Sequence, residues 1–313
     1  MAFLLKPKES VSEGITRNVR RQIEKALEHL DAAADPGRRG DEETEAVGQV
    51  RKCFKRIRAA LRLVREELGD ERYHEQNLCF RDAARPLTQV RDAGILLETA
   101  DKLRQHFPKA IAAATFTDIR QALVANQAEV RHHVLDEDQA CTKVRNIAAR
   151  ELARLAEWRL TRDGWAALEA GIRRVYRAGH RALALAAESP SAGNLHEWRK
   201  QTKYLWHQLQ LLELALTGEE KELVDKTHKL STLLGEDHDL AMLRETLAAD
   251  PLRYGGHHTL KGIFVLIDRR RGDLERQAFT LGQEIYKHPV RIFTNRIVAS
   301  MSHEGSNEEC HPA

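Results

Sequence analysis

The chain predicts an all-α fold, and three observations carry that prediction. Ala, Leu, Arg and Glu dominate a 313-residue composition in which aromatic residues make up only 5%, the profile of good helix formers. Apolar residues recur at steps of three and four, and no stretch alternates with the period of two that a half-buried strand requires. Turn-forming clusters punctuate the chain at helix-length intervals.

Ten helical segments follow in order. The first, 10–34, stops at Asp35-Pro36-Gly37, the second, 42–68, at Gly69-Asp70, and the third, 72–105, short of Pro108. Segments 116–134 and 137–160 lead to Asp163-Gly164, 164–188 to Ser189-Pro190-Ser191, and 192–216 to Thr217-Gly218. The last three, 219–248, 256–284 and 288–302, are parted by Asp250-Pro251, Gly255-Gly256 and His288-Pro289. Proline lacks the N–H a helix needs, and glycine adopts the turn conformations other residues avoid. The end of the chain, 301–313, is polar and reads as a frayed tail.

At 42% hydrophobic and 31% charged, the chain can bury a substantial core. The opening MAFLLKPKES is too brief an apolar patch for a signal peptide. No run approaches the roughly 18 apolar residues of a membrane span. Cys53, Cys79, Cys141 and Cys310 form no C-x-x-C pair, so they read as packing residues of a reduced, cytoplasmic protein.

The most informative stretch is Arg51 to Arg65, with seven cations and no carboxylate. Val50, Phe54, Ile57, Leu61, Val64 and Leu68 form an apolar helical seam. Arg51, Lys55, Arg58, Arg62 and Arg65 repeat that rhythm one residue later, a stripe about 100° around the helix from the seam. Such a stripe runs about 21 Å. Its like-charge neighbours repel by about 0.2–0.5 kcal/mol per pair, which a bound polyanion would offset.

The same pattern recurs. Val47 to Gly69 aligns without gaps on Leu195 to Thr217, placing Arg51, Lys52 and Lys55 on Arg199, Lys200 and Lys203. The second seam is Leu195, Trp198, Leu205, Leu209, Leu212 and Leu216, interrupted by Thr202. GITRNV from Gly14 echoes GIRRVY from Gly171, and VRDAGILLETADKL from Val90 echoes DHDLAMLRETL from Asp237. Each half reads as a four-helix unit with a basic second helix, about 9–160 and 161–300, within one domain. Matched leucines serve packing, but matched R-K-x-x-K clusters point to one shared cavity.

In these residues the chain resembles the CHAD family, α-helical domains named for their histidines. The likeness rests on VGQVRKCFKRIR at Val47, LHEWRKQTK at Leu195, ARPLTQVRDAGIL at Ala84 and LLGEDHDLAML at Leu233, and extends from about 9 to 297. The resemblance implies two four-helix bundles related by an internal twofold around a basic central pore. It also implies binding of inorganic polyphosphate without catalysis, with no cofactor. Carried over by position, His196, Arg199, Lys200 and Lys203 form one signature, and Arg51, Lys52 and Lys55 the other. Gly48 stands where the first family histidine would be, at a cost of about 1 kcal/mol against Ala in a helix. Tyr204 and Trp206 stand where the first copy has Arg56 and Arg58, so the second wall should carry less charge.

The residue types suit that ligand. Arginine forks onto phosphate oxygens, and lysine supplies a mobile point charge. Arg58 and Arg62 extend the first wall, and Arg17, Arg21, Arg174 and Arg177 are candidates to complete the two walls. Arg81 and Arg91, beside Asp82 and Asp92, read as locally paired. His196, near the basic stripe, should be neutral when the site is empty and protonated beside phosphate. The expected partners are thus polyphosphate or another phosphate-rich anion, with polyphosphate granules as a destination and no membrane.

Three rivals remain. A metal-dependent phosphohydrolase acting on polyphosphate or nucleotides would need converging ligands. Glu236-Asp237-His238-Asp239, His132-His133 and His257-His258 are adjacent on a helix and cannot chelate one ion unaided. The first of these reads instead as the anchor of a cation network or a cap after Gly235. No G-x-x-x-x-G-K-[ST] or G-x-S-x-G motif supports a kinase or serine hydrolase. Nucleic-acid binding lacks aromatics interleaved with the basic stretches. The third rival is a scaffold whose basic face docks an acidic protein.

Overall fold

Ser10 starts the first helix with a capping box: its hydroxyl accepts from the Glu13 amide, and the Glu13 carboxylate accepts from the Ser10 amide. From that point the computed structural model, which describes residues 3–6, 9–35, 40–110 and 112–303, is α-helical in every major element. In chain order these are α1 (Val11–Ala33), α2 (Asp41–Leu63), α3 (Arg65–Leu68), α4 (Asp70–Ala84), α5 (Pro86–His106), α6 (Ala113–Arg131) and α7 (Ala140–Arg154). There follow α8 (Ala166–Glu188), α9 (Ala192–Leu212), α10 (Gly218–Ala249), α11 (Gly256–Ile285) and α12 (Val290–His303). Among the described residues there is no strand, and no helix is long and apolar enough to cross a membrane. The all-α expectation holds.

Several boundaries differ from the sequence reading. The segment expected over 72–105 is two helices, because Pro86 opens α5 and has no N–H for the carbonyls of α4. The 42–68 segment parts at Val64, whose φ of −107° and ψ of 24° leave helical geometry. After α6, His132–Glu137 widens into a π-helical turn, and Gln139, left-handed with φ 53°, starts α7 afresh. Gly235 caps nothing, since α10 runs straight through it. The last helix continues to His303; the rest of the expected tail, with Cys310, lies outside the described residues.

Both apolar seams are buried as their spacing predicts. Val50, Phe54, Ile57, Leu61, Val64 and Leu68 are buried in α2 and just beyond it, as are Leu195, Trp198, Leu205, Leu209, Leu212 and Leu216 in α9 and beyond. Thr202, the polar interruption, is buried with them. The core does not divide between the halves. One large cluster joins α1 and α2 to α8 and α9, and a smaller one packs Leu96, Leu103, Phe116 and Leu123 against Leu240, Leu247, Leu260 and Leu274.

Four helices meet in sequence around the middle: α2 packs on α9, α9 on α10, α10 on α5, and α5 on α2. Beside this ring, α8 approaches the end of α2 so closely that a Cβ at Gly171 would lie 1.9 Å from the Leu63 carbonyl oxygen. A backbone oxygen cannot swing aside as a flexible side chain can, so only glycine fits. Gly171→Ala should therefore destabilise the fold by on the order of 3 kcal/mol. Urea unfolding midpoints equal to wild type would contradict that packing.

Candidate anion-binding site

Because the cations of α2 follow its buried seam by one position, they emerge at the rim of the core, not on the far side of the helix. Arg51, only 13% exposed, donates to Asp92 Oδ1 at 3.3 Å and to the Thr88 carbonyl at 3.4 Å, both on α5. Lys55 lies one turn on, partly buried. Burial pulls its ammonium well below the ordinary lysine range, and Lys203, Arg51 and Arg199 push the same way, with Asp92 opposing.

The second copy supplies the facing cations. Burial, seconded by Arg199, brings Lys203 on α9 down to about 8, while Asp239 on α10 works against the shift. Arg199 remains charged, as guanidinium does in proteins, but burial lowers its pKa, with Asp239 and Asp92 opposing and Arg51 reinforcing. Its Nε is buried without a hydrogen-bond partner among the described residues. Asp239 itself is raised by burial, against the pull of Arg199, Lys203, Arg91 and Lys102. The two basic ridges therefore converge on each other across the ring of α2, α5, α9 and α10.

A histidine pair sits at one side of this cluster. His196 of α9 and His238 of α10 have ring centroids 4.6 Å apart and Nδ1 atoms 3.4 Å apart. Burial, then Arg199, His196, Lys55 and Arg271, takes His238 down to about 4. His196 is lowered by burial and by Arg199 and Lys200, with Glu197 pulling back. Both rings are neutral in the empty site near pH 7.

On the other side a cavity of about 210 Å³ opens between α2, α4 and α5. Among the described residues its walls carry Arg51, Lys55, Arg58, Arg81 and Arg85 and no carboxylate. Arg58 is braced by the Asn77 side-chain oxygen at 3.0 Å. Arg81 and Arg85 both reach Asp82, which stands outside the lining. The cleft of about 280 Å³ near Arg296 differs in kind, since it holds Glu219, Glu220, Glu222 and Glu284 beside its cations. Among the described residues no group of three or more His, Cys, Asp or Glu comes together as metal ligands.

The structure brings Arg51, Lys55, Arg199, Lys203 and His196 into one cluster. Lys52 and Lys200 are exposed at its margin; Lys52 is felt by Lys203 and Lys200 pairs with Glu197. Arg62 lies further along, donating to the Tyr73 hydroxyl, with its guanidinium 4.2 Å above the Tyr204 ring. Arg17 is held by Glu9 and the Leu4 carbonyl. Arg174 pairs with Glu66 and caps the Arg62 carbonyl in the last turn of α2, a favourable place for a cation. Arg21 is partly buried on α1, and Arg177 is exposed on α8.

Sequence reasoning placed none of Arg85, Arg91, Asp92, His238 and Asp239 in the site: it read Arg91 as paired with Asp92, and the run holding His238 and Asp239 as an anchor for cations. A signal for four of them was present: the echo between Val90 and Asp237 places Arg91 on His238 and Asp92 on Asp239. Asp92 pairs with Arg51, not with its neighbour Arg91, and Arg91 reaches Glu98 at 2.8 Å. The Glu236–Asp239 run anchors cations as expected: Glu236 holds Arg270, Asp237 holds Arg271, and Asp239 faces Arg199 and Lys203.

The fold and site together define an all-helical domain with duplicated basic helices facing one another at its centre. The CHAD domain family model matches residues 21–248, and the chain belongs to the CHAD family. No curated protein matches it. The crystal structure of the CHAD domain from the plant Ricinus communis is similar over 96% of this chain and 95% of that one, with a TM-score of 0.55 and 17% identity. At that identity the likeness speaks for the fold.

A partly buried lysine beside three other cations destabilises the empty chain. Lys203→Met, which keeps the apolar stem and removes the charge, should stabilise the ligand-free protein by on the order of 1 kcal/mol. Loss of stability in urea titration would show that Lys203 is instead held by compensating partners.

Proposed function

We propose that this chain binds inorganic polyphosphate, without chemical turnover, between the basic helices of its two repeats. The observation that carries this reading is the cluster of Lys55, Lys203, Arg199 and Arg51, cations from both copies brought so close that burial and their neighbours' charges lower the pKa of the first three, with Asp92 and Asp239 as partial offsets. Polyphosphate presents closely spaced anionic oxygens and no bases, and its charge would relieve all four residues at once. Arginine forks and lysine point charges hold such oxygens, and the cavity lined by Arg51, Lys55, Arg58, Arg81 and Arg85 contains no carboxylate to repel them.

Aromatic surface for nucleic-acid stacking is scarce at the ridge: Tyr73 and Tyr204 are buried beneath Arg62. Excess polyphosphate should displace labelled duplex DNA, whereas DNA should barely displace polyphosphate. A module of this kind would hold its chain on cytoplasmic polyphosphate deposits.

Calorimetry with polyphosphate tests the reading directly. Lys55→Gln combined with Arg199→Gln should lower affinity by roughly a hundredfold, with helicity by circular dichroism unchanged. Wild-type affinity should fall steeply between about 50 and 200 mM salt as counterions are released. Undiminished binding by the double variant, or a flat salt profile, would overturn the assignment.

The pH dependence has a definite sign. Lys203, His196 and His238 all have folded pKa values below their ordinary ones in the empty site, so a bound anion draws protons onto them. Affinity should therefore rise as pH falls from about 9 towards 5, with net proton uptake on binding. Calorimetry in buffers of different ionisation enthalpy reads that uptake, and proton release would contradict it.

A further inference from the structure

The repeat places Gly48 opposite His196 and Arg91 opposite His238, and the structure shows what that exchange does. In the second half two imidazoles fill the space between α9 and α10, with ring centroids 4.6 Å apart. In the first half α2 carries Gly48, with no side chain, where α9 carries His196. A Cβ at Gly48 would lie 3.3 Å from Arg91 Cδ and 3.5 Å from Arg91 Nε, so the arginine stem already occupies the space above the glycine. The first distance is tighter than ordinary contact and the second is ordinary contact, so a side chain larger than methyl at 48 must push Arg91 aside.

The geometry points to Arg91 as an anion-contacting residue that takes over the missing histidine's place, with Gly48 as the position that admits it. This inference rests on the polyphosphate reading above. Arg91 is partly buried, lies close enough to Asp239 of α10 to pull on its ionisation, and is tethered at its outer edge by Glu98 at 2.8 Å. Its reach thus bridges α5 to the same carboxylate that faces Arg199 and Lys203.

The chemical consequence is an unlike pair of half-sites. A guanidinium is charged at every accessible pH and grips two phosphate oxygens in its fork. The His196–His238 pair, faced by Arg199, Lys200 and Glu197 on its own side, Lys55 from α2 and Arg271 from α11, gains charge only as protons are supplied. The first half therefore holds the anion at alkaline pH, and the second adds to it on acidification.

Calorimetry with polyphosphate of uniform chain length at pH 6 and pH 8 tests this on four proteins. Arg91→Ala should lose about tenfold in affinity at both values and reduce the slope of log affinity against log salt by about one contact. Arg91→Lys, which keeps the charge without the fork, should recover part of the loss. Gly48→His, which displaces Arg91 and installs an imidazole, should bind more weakly than wild type at pH 8 and recover at pH 6. Circular dichroism checks that each variant folds, and Arg91→Gln replaces Arg91→Ala should the latter not. Wild-type affinity and salt slope in the Arg91 variants would overturn the inference while leaving polyphosphate binding intact. So would a Gly48→His protein that tracks wild type at both pH values. No binding by wild type itself would sink both readings.

Discussion

Mutual repulsion among Lys55, Lys203, Arg199 and Arg51 is the constraint to which the rest of the molecule answers. Four cations from two distant parts of the chain stand in one partly buried cluster, and burial alone makes each charge costly. Such a cluster persists only where other interactions fix the helices that carry it. Those interactions are the seams next to the cations: Phe54, Ile57 and Leu61 on α2, Trp198, Leu205 and Leu209 on α9, all buried. The one-residue offset between seam and cation means the helices cannot bury their apolar faces without bringing the charges to the rim. Packing energy holds the site in an unfavourable electrostatic state, as binding sites tuned for a charged ligand commonly do.

The carboxylates nearby set how far that state goes. Asp92 meets Arg51 from α5, and Asp239 faces Arg199 and Lys203 from α10, so each wall has one acidic residue on the helix behind it. This partial neutralisation stabilises the empty protein and leaves excess positive charge. Asp239 is held towards its protonated form by burial, which would weaken its competition with an anion of the kind proposed. Tyr204 contributes from the opposite repeat: its hydroxyl accepts from Arg58 at 3.5 Å and Arg62 at 3.3 Å, and its ring lies under Arg62. An aromatic residue in the second copy thus supports the cations of the first.

The fold class and both basic helices were legible in the sequence because helical period and charge share a rhythm there. The gap between α4 and α5 was less so: Pro86 sat inside an apolar period that continues on both sides, and only its missing N–H marks the division. Val64 offers no local signal at all. Its departure from helix comes where α8 crowds the end of α2 at Gly171, a tertiary event. For the site, contacts within a helix read well and contacts between helices did not. Arg17 and Arg174 looked like free cations, yet their partners are Glu9 on the preceding segment and Glu66 from the other half. Arg91 looked paired with its neighbour Asp92, which in the fold belongs to Arg51.

Duplication explains why the centre of the molecule is basic from both sides, and divergence explains why the sides differ. Two copies of one basic helix, packed on each other, give facing ridges without any further design. Once that arrangement exists, each position can vary against its counterpart, as long as the shared cluster keeps enough charge. Gly48 and Arg91 against His196 and His238 are one such exchange; Arg56 and Arg58 against Tyr204 and Trp206 are another. In the second exchange Tyr204 lies beneath Arg62 of the first copy's ridge, and Trp206 turns onto His228 at 4.2 Å between ring centroids. Charge has thereby moved towards the first copy, where the carboxylate-free cavity lies. A polyanion bound here would be gripped unevenly, by guanidinium forks along α2 and α5 and, as pH falls, increasingly by the imidazoles of α9 and α10.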